Sequence, residues 1–167
     1  TERRLSRLGC KPNDLHAIAI THEHADHIGS AYSLALSYSL PLYMSYGTYQ
    51  ATKKKANIRG RAPDIRFCQA DHTVHIGDLA LHPYTVPHDA REPLQFVFQA
   101  GDVRVGVLTD VGKSTPYLIK NLQGLHAFIL EFNHDCGLLA ASNYPAALKS
   151  RIGGDFGHLA NHVAAKI

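Results

Sequence analysis

From Thr21 to Ser30 the chain reads THEHADHIGS, which places His22, His24 and His27 with Glu23 and Asp26 in one short stretch. Neutral imidazoles and carboxylates are the ligands that suit zinc, and also manganese or iron. In extended chain, residues two apart point to the same side. His22 and His24 can therefore meet one cation, while Glu23 and Ala25 point away. Asp26 and His27 follow where the chain turns into a helix, and they can face a second cation beside the first. Gly29 leaves room for close packing. A solvated polar loop can also collect such residues. Three histidines and an aspartate at this spacing, directly after an apolar run, read instead as a metal site.

That reading requires an element to present the cluster. The apolar run 15–20 has the length of a buried strand, so the cluster sits at its carboxyl end. Residues 28–39 are predicted as a helix that stops before Pro41. A short strand at 42–45 and a helix at 46–56 follow. Then come five short strand-like runs: 65–70, 73–76, 79–86, 94–100 and 103–108. Gly77-Asp78 and Gly101-Asp102 stand between apolar flanks and fit hairpin turns. Residues 1–9, 114–122, 144–152 and 157 onward are predicted as helices, and 125–132 as a buried strand. Antiparallel strands dominate the middle of this order. It is an α/β domain without regular βαβ alternation, which disfavours a doubly wound parallel sheet.

Composition sets the outer bounds. A chain of 167 residues, 45% apolar and 19% charged, is a single domain able to bury a core. No apolar run approaches the roughly 18 residues that span a bilayer, and no secretory signal opens the chain. The three cysteines, Cys10, Cys68 and Cys136, form no CxxC and no disulfide pattern. They are expected as reduced thiols of a cytoplasmic protein. A formal charge of +3 is compatible with polyanionic substrates without requiring them. The run Lys53-Lys54-Lys55, with Arg59, Arg61 and Arg66, fits either a basic rim for a nucleic-acid backbone or a solvated helix face. Twelve histidines are the compositional outlier, and a metal site accounts for several of them. The chain opens on Thr1 inside an apparent helix and closes without a helix stop signal. It is expected to be truncated at both ends.

The segment His22-Glu23-His24-Ala25-Asp26-His27 resembles the HxHxDH signature of the metallo-β-lactamase superfamily. That resemblance implies an αββα sandwich over residues 1–167, with N-terminal strands and a C-terminal strand–histidine segment lying outside the chain. It also implies further ligands downstream. His88, in Thr85-Val86-Pro87-His88-Asp89, and Asp110, in Val107-Leu108-Thr109-Asp110, match in order and in closing a strand. The implied layout has His22, His24 and His88 on one metal ion, Asp26 and His27 on a second, and Asp110 bridging. His134 and His158 remain as candidates for the last ligand position. Two divalent ions, zinc first and manganese or iron as alternatives, are the implied cofactors.

Further segments resemble the YycJ/WalJ-type exonuclease subgroup. They are Val86-Pro87-His88-Asp89-Ala90, Leu108-Thr109-Asp110-Val111-Gly112, Glu131-Phe132-Asn133-His134-Asp135 and Gly157-His158-Leu159-Ala160-Asn161. The implied activity is 5′-to-3′ DNA exonuclease chemistry, with DNA as the partner. Two metal ions would clamp a phosphodiester and supply hydroxide at neutral pH. Asp26 would orient the nucleophile. His134 would serve as general acid or phosphate contact, and His158 and Asn133 as phosphate contacts. The thioester hydrolases of the superfamily carry Thr-Pro-Gly-His at the second motif, whereas this chain has Thr85-Val86-Pro87-His88. A small-ester or thioester hydrolase on the same fold, and a catalytically dead metal-binding fragment, stay open as alternatives.

Overall fold

In the computed structural model, which describes residues 1–167, apolar alternation along the strands sorts the chain into four layers. Strands β1 (Ile18–Ala19), β2 (Leu42–Met44) and β3 (Ile65–Phe67) form a parallel sheet in that order. Strands β4 (Val74–Ile76), β5 (Leu79–Thr85), β6 (Leu94–Ala100), β7 (Val103–Leu108) and β8 (Ala127–Leu130) form a second sheet, also in sequence order. It is antiparallel except that β8 runs parallel to β7. The helices are α1 (Glu2–Arg7), α2 (Ala25–Ile28), α3 (Ala31–Tyr38), α4 (Tyr46–Ala56), α5 (Pro116–Leu122), α6 (Cys136–Ala141), α7 (Ala146–Ile152) and α8 (Asn161–Ala164).

Successive strand residues point to opposite faces. Ile18, Ile20, Leu42 and Met44 face outward from the parallel sheet and pack on Ala31, Tyr32 and Ala35 of α3 and Ala56 of α4. Ala17, Ala19 and Tyr43 face the other way, onto Leu81, Leu94 and Phe96 of the second sheet. The far side of that sheet turns Tyr84, Val97 and Leu108 toward Leu118 of α5, Leu159, and Ala164 of α8. The layers are thus helix, sheet, sheet, helix, the αββα sandwich expected. No helix is long and apolar enough to cross a membrane.

Several elements depart from the sequence expectations. The first sheet is itself a βαβαβ parallel unit, which the antiparallel middle of the sequence obscured. The helix expected over 28–39 begins earlier, at Ala25, and breaks at Gly29 and Ser30 into α2 and α3. Helix α6 was not anticipated; Asp135 caps it by accepting from Leu138 N at 2.9 Å. The last helix starts at Asn161 rather than Gly157. Residues 157–160 are extended because their amides are taken from elsewhere. His158 N donates to Ile152 O and Leu159 N to the Glu131 carboxylate. His158 therefore does not open a helix. Gly77 and Gly101 do turn the two hairpins, with φ of 59° and 55° that favour glycine.

Strand direction decides where chemistry can gather. β5, β7 and β8 all run the same way, and β1, β2 and β3 are mutually parallel. The two sheets meet where Leu94 N, opening β6, donates to Thr21 O just after β1, at 2.9 Å. The segments leaving β1, β5, β7 and β8 are brought to this edge. The loop before α8 closes over it, and its approach is tight at Gly157. A Cβ there would strike the Arg151 and Ile152 carbonyl oxygens. Gly157→Ala should destabilise the fold by about 1–3 kcal/mol, read as a lower urea midpoint at unchanged slope.

Candidate metal centre

The segment after β1 leaves the sheet at Thr21 and turns into the short helix α2. Its path aims His22 and His24 inward. His88, which follows β5 by three residues, arrives from the second sheet. His22 Nε2 lies 2.9 Å from His24 Nδ1, and His24 Nδ1 lies 3.2 Å from His88 Nε2. Tetrahedral zinc with bonds of about 2.0–2.1 Å needs roughly 3.4 Å between ligand nitrogens. The two separations fall within about half an ångström of that spacing.

The outer nitrogens of His22 and His88 are engaged, which favours the tautomers needed. His88 Nδ1 lies 3.1 Å from Gly157 O, so Nδ1–H donates and Nε2 keeps its lone pair inward. Thr21 Oγ1 sits 3.0 Å from both His22 Nδ1 and His27 Nδ1. A hydroxyl oxygen has two lone pairs, so it can accept from both rings. Burial pushes His22 down to about 3, with His27, His88 and His24 adding to the shift. His88 is lowered as well, again chiefly by burial. Both rings are neutral at physiological pH, the form in which an imidazole binds a cation.

A second group shares His22 and adds His27 and Asp110. His27 Nε2 stands 3.0 Å from Asp110 Oδ2, and this bond raises the His27 pKa. Burial works against ionisation of Asp110. The His27 hydrogen bond outweighs it and holds the carboxyl well below the usual carboxylate range. Asp110 has a left-handed backbone, φ 53°, a conformation aspartate tolerates better than most residues. Asp26 lies at the rim: its side chain is 81% exposed, and Oδ2 is 3.6 Å from His27 Nε2.

A third group joins Asp110 to Glu131 and His158. His158 Nδ1 is 2.6 Å from Glu131 Oε1 and 3.6 Å from Asp110 Oδ1. The Glu131 bond raises the His158 pKa. The other Glu131 oxygen accepts from Val111 N at 3.2 Å and Leu159 N at 3.1 Å. Glu131 therefore fastens the loop after β7 to the strip that carries His158. The His158 ring packs 5.5 Å from that of His88.

His22, His24, His27, His88, Asp110 and His158 are thus brought together, with Asp26 at the edge. His134 is not part of this cluster. It lines, with His158 and Gly112, a cavity of about 670 Å³ between the loop after β7 and helices α6 and α7. Its Nδ1 lies 3.3 Å from the Oδ1 of Asn133, which is exposed. Four supporting residues were given no role on sequence grounds. Thr21 precedes the motif, and no pattern marks it. Glu23 points away, and its carboxylate accepts from Arg91 N at 2.7 Å. Asp89 takes the Arg151 guanidinium at 2.5 Å and stands 3.6 Å from both His24 and His88. Glu131 opens the Glu131–Asp135 segment, which was its only signal.

A family model described as a beta-lactamase superfamily domain matches residues 2–163. The protein Exodeoxyribonuclease YycJ of Bacillus anthracis is 34% identical over 167 residues, covering 99% of this chain and 62% of that protein. Exodeoxyribonuclease WalJ of Streptococcus pneumoniae serotype 2 is 32% identical over 163 residues, 97% of this chain and 61% of that protein. The chain thus spans about three-fifths of the length of these relatives. Zn²⁺-bound PqqB from Methylobacterium extorquens superposes with a TM-score of 0.72 at 16% identity, over 87% of this chain and 54% of that one. The metallo-β-lactamase fold protein YhfI from Bacillus subtilis gives 0.68 at 16% identity, over 92% and 59%. These solved structures share the fold.

The Thr21 hydroxyl is the cheapest part of the site to remove. Thr21→Val keeps the shape but leaves His22 and His27 without their acceptor. Zinc affinity, measured by competition with a chromogenic chelator, should fall about 10- to 100-fold. The far-ultraviolet circular dichroism should stay unchanged.

Proposed function

The chain belongs to the beta-lactamase superfamily, and from that premise we propose that it is a dinuclear metal-dependent hydrolase that cleaves phosphodiesters in DNA, degrading from the 5′ end. One observation carries the reading. His22 belongs to two ligand-capable groups, one with His24 and His88 and the other with His27 and Asp110. Inward imidazole nitrogens beside an ionised carboxylate are a donor set for two adjacent divalent cations, provided that His27 Nε2 gives up the proton it shares with Asp110. The names of the exodeoxyribonucleases at 32–34% identity supply the substrate class.

Two divalent ions bound there, zinc or alternatively manganese or iron, would polarise the phosphodiester and supply hydroxide at neutral pH. The protein's own groups do the rest. His22, His24 and His88 would hold one ion and Asp26 and His27 the other, with Asp110 available to both. Asp26, at the open rim, also orients the attacking group. Glu131 holds His158 through Nδ1 and raises its pKa, which favours the protonated ring, and the other ring nitrogen is left for a phosphate oxygen. His134 lines the cavity beyond it as general acid or phosphate contact, and the exposed Asn133 beside His134 is a further phosphate contact. The loop amides tied to Glu131 keep this wall rigid, so little reorganisation accompanies the reaction.

The test is digestion of 5′-phosphorylated, end-labelled DNA by the metal-loaded chain, alongside metal analysis. Two ions per chain and release of nucleotides from the 5′ end are expected. His22→Ala and Asp110→Ala should each reduce the rate about a thousand-fold, a loss of several kcal/mol of transition-state stabilisation. Substrate binding should weaken steeply with added salt, because phosphate contacts release counterions. Hydrolysis of small esters or thioesters with DNA left intact would transfer the site to the other branch. Fewer than one ion per chain would mark it as inactive.

A further inference from the structure

Outside the metal centre and the buried strands, aromatic rings come together at one place. Tyr46 and Tyr49 on α4 and Phe67 on β3 form a trio, with Phe67 5.4 Å from Tyr46 and 5.5 Å from Tyr49. The Tyr46–Phe67 pair packs edge to face, which leaves ring surface open, and the two residues are 56% and 52% exposed. The other close pair without histidine, Phe96 with Phe98, belongs to the packing between the sheets.

The trio is cationic at both ends. Tyr46, Tyr49, Gln50 and Lys53 recur at the spacing of one helix face, and Lys53 is exposed with only Gln50 as its partner, at 2.9 Å. At the other end Arg91 is exposed and takes part in no ion pair. Its side chain lies against Gly47, next to Tyr46. The nearby carboxylates are turned inward. Glu92 accepts from Gly47 N at 2.5 Å, and Glu23 accepts from Arg91 N at 2.7 Å. The strip therefore presents open rings and cations.

Its place relative to the metal centre is set by the parallel sheet. Phe67 pairs with Met44, and Tyr43 O accepts from Ile20 N two residues before His22. Two strand spacings across and two residues along make this about 12 Å. Arg91 follows His88 by three residues and bridges the two places. That separation is a nucleotide or two along an extended strand.

We propose that Tyr46 and Phe67, flanked by Arg91 and Lys53, form a stacking platform for unpaired bases of the nucleic-acid strand whose backbone reaches the metal centre. This deepens the nuclease reading and rests on it. Base–aromatic stacking tolerates any sequence, and neighbouring cations track the phosphates. A paired base is already stacked on its neighbours, so the platform takes single strands in preference to duplex. No residue on the strip reads a sugar, so the shared chemistry is a phosphodiester chain with unpaired bases, deoxyribose or ribose.

The experiment measures fluorescence anisotropy of labelled oligothymidylate and oligouridylate with the full chain in a chelator, where no cleavage occurs. Tyr46→Ala and Phe67→Ala should each weaken binding about 5- to 100-fold, and Tyr46→Phe should bind as the parent does. Phe67→Leu keeps apolar packing but lacks a ring face, so its binding should fall while its thermal midpoint stays near the parent's. Hydrolysis of bis(p-nitrophenyl) phosphate by the metal-loaded variants should be unchanged, since that substrate is too short to reach the strip. Parent-like binding by Phe67→Leu and both alanine variants overturns the platform. So does a parent chain that binds neither oligonucleotide. Digestion of DNA by that same parent chain would then leave the nuclease reading standing, whereas its absence would remove both.

Discussion

Three imidazoles must be held with His24 Nδ1 2.9 Å from His22 Nε2 and 3.2 Å from His88 Nε2, while drawn from two different sheets. His22 and His24 come from the segment after β1, and His88 comes from the segment after β5. Bare lone pairs at that distance repel, and burial removes the water that would screen them. The protein resolves this by engaging every outer nitrogen it can. Thr21 takes His22 and His27, and the Gly157 carbonyl takes His88. The backbone bond from Leu94 N to Thr21 O then fixes one sheet against the other at the point where the rings meet. A slip of either sheet by one residue would turn the rings away.

Carboxylates surround this nucleus in graded exposure, and their partners set their roles. Asp110 is buried enough to be costly to ionise, yet His27 keeps it charged. Glu131 spends one oxygen on two backbone amides and the other on His158. With both oxygens committed, it serves as a strut, and His158 is left with one free nitrogen. Asp89 is anchored by Arg151 and stays 3.6 Å from two imidazoles, a distance that supports without ligating. Asp26 faces solvent most fully. Charge is thus rigid inside and adaptable at the mouth, the arrangement in which a charged substrate can be admitted without collapsing the site.

The parts legible in the sequence are those whose information is local. THEHADH needs only its own spacing and the apolar run before it. His88 and Asp110 were legible because each closes a strand-like run, and strand ends are where an α/β sandwich exposes its loops. The strands of the second sheet were read nearly to their ends, because alternation and Gly-Asp turns are short-range signals. What escaped depends on distant partners. The strip 157–160 reads as helix until Glu131 and Ile152 claim its amides. The parallel pairing of β1, β2 and β3 is a matter of crossover connections, which short apolar runs do not encode. Thr21 is an ordinary strand-end threonine until two imidazoles fold back onto it.

Strand direction is what ties these layers to a single reactive edge. β5, β7 and β8 run the same way, so His88, Asp110 and Glu131 emerge together although they are spread over 44 positions of chain. β1, β2 and β3 share their own direction, so His22, Tyr46 and Phe67 follow or close strands on one side of the parallel sheet. The loop after β5 joins the two sets: His88 faces the imidazoles, while the Arg91 amide is held by Glu23 and the Glu92 carboxylate by Gly47. A rigid hinge of this kind means that the cavity beside His158 and the ring strip beside Arg91 cannot shift independently of the metal centre. An extended polymer can use both sides at once, whereas a small ester would touch only the middle. If both flanks bind, the architecture has more binding surface than a small substrate requires, which is the physical argument behind the proposed chain-like one.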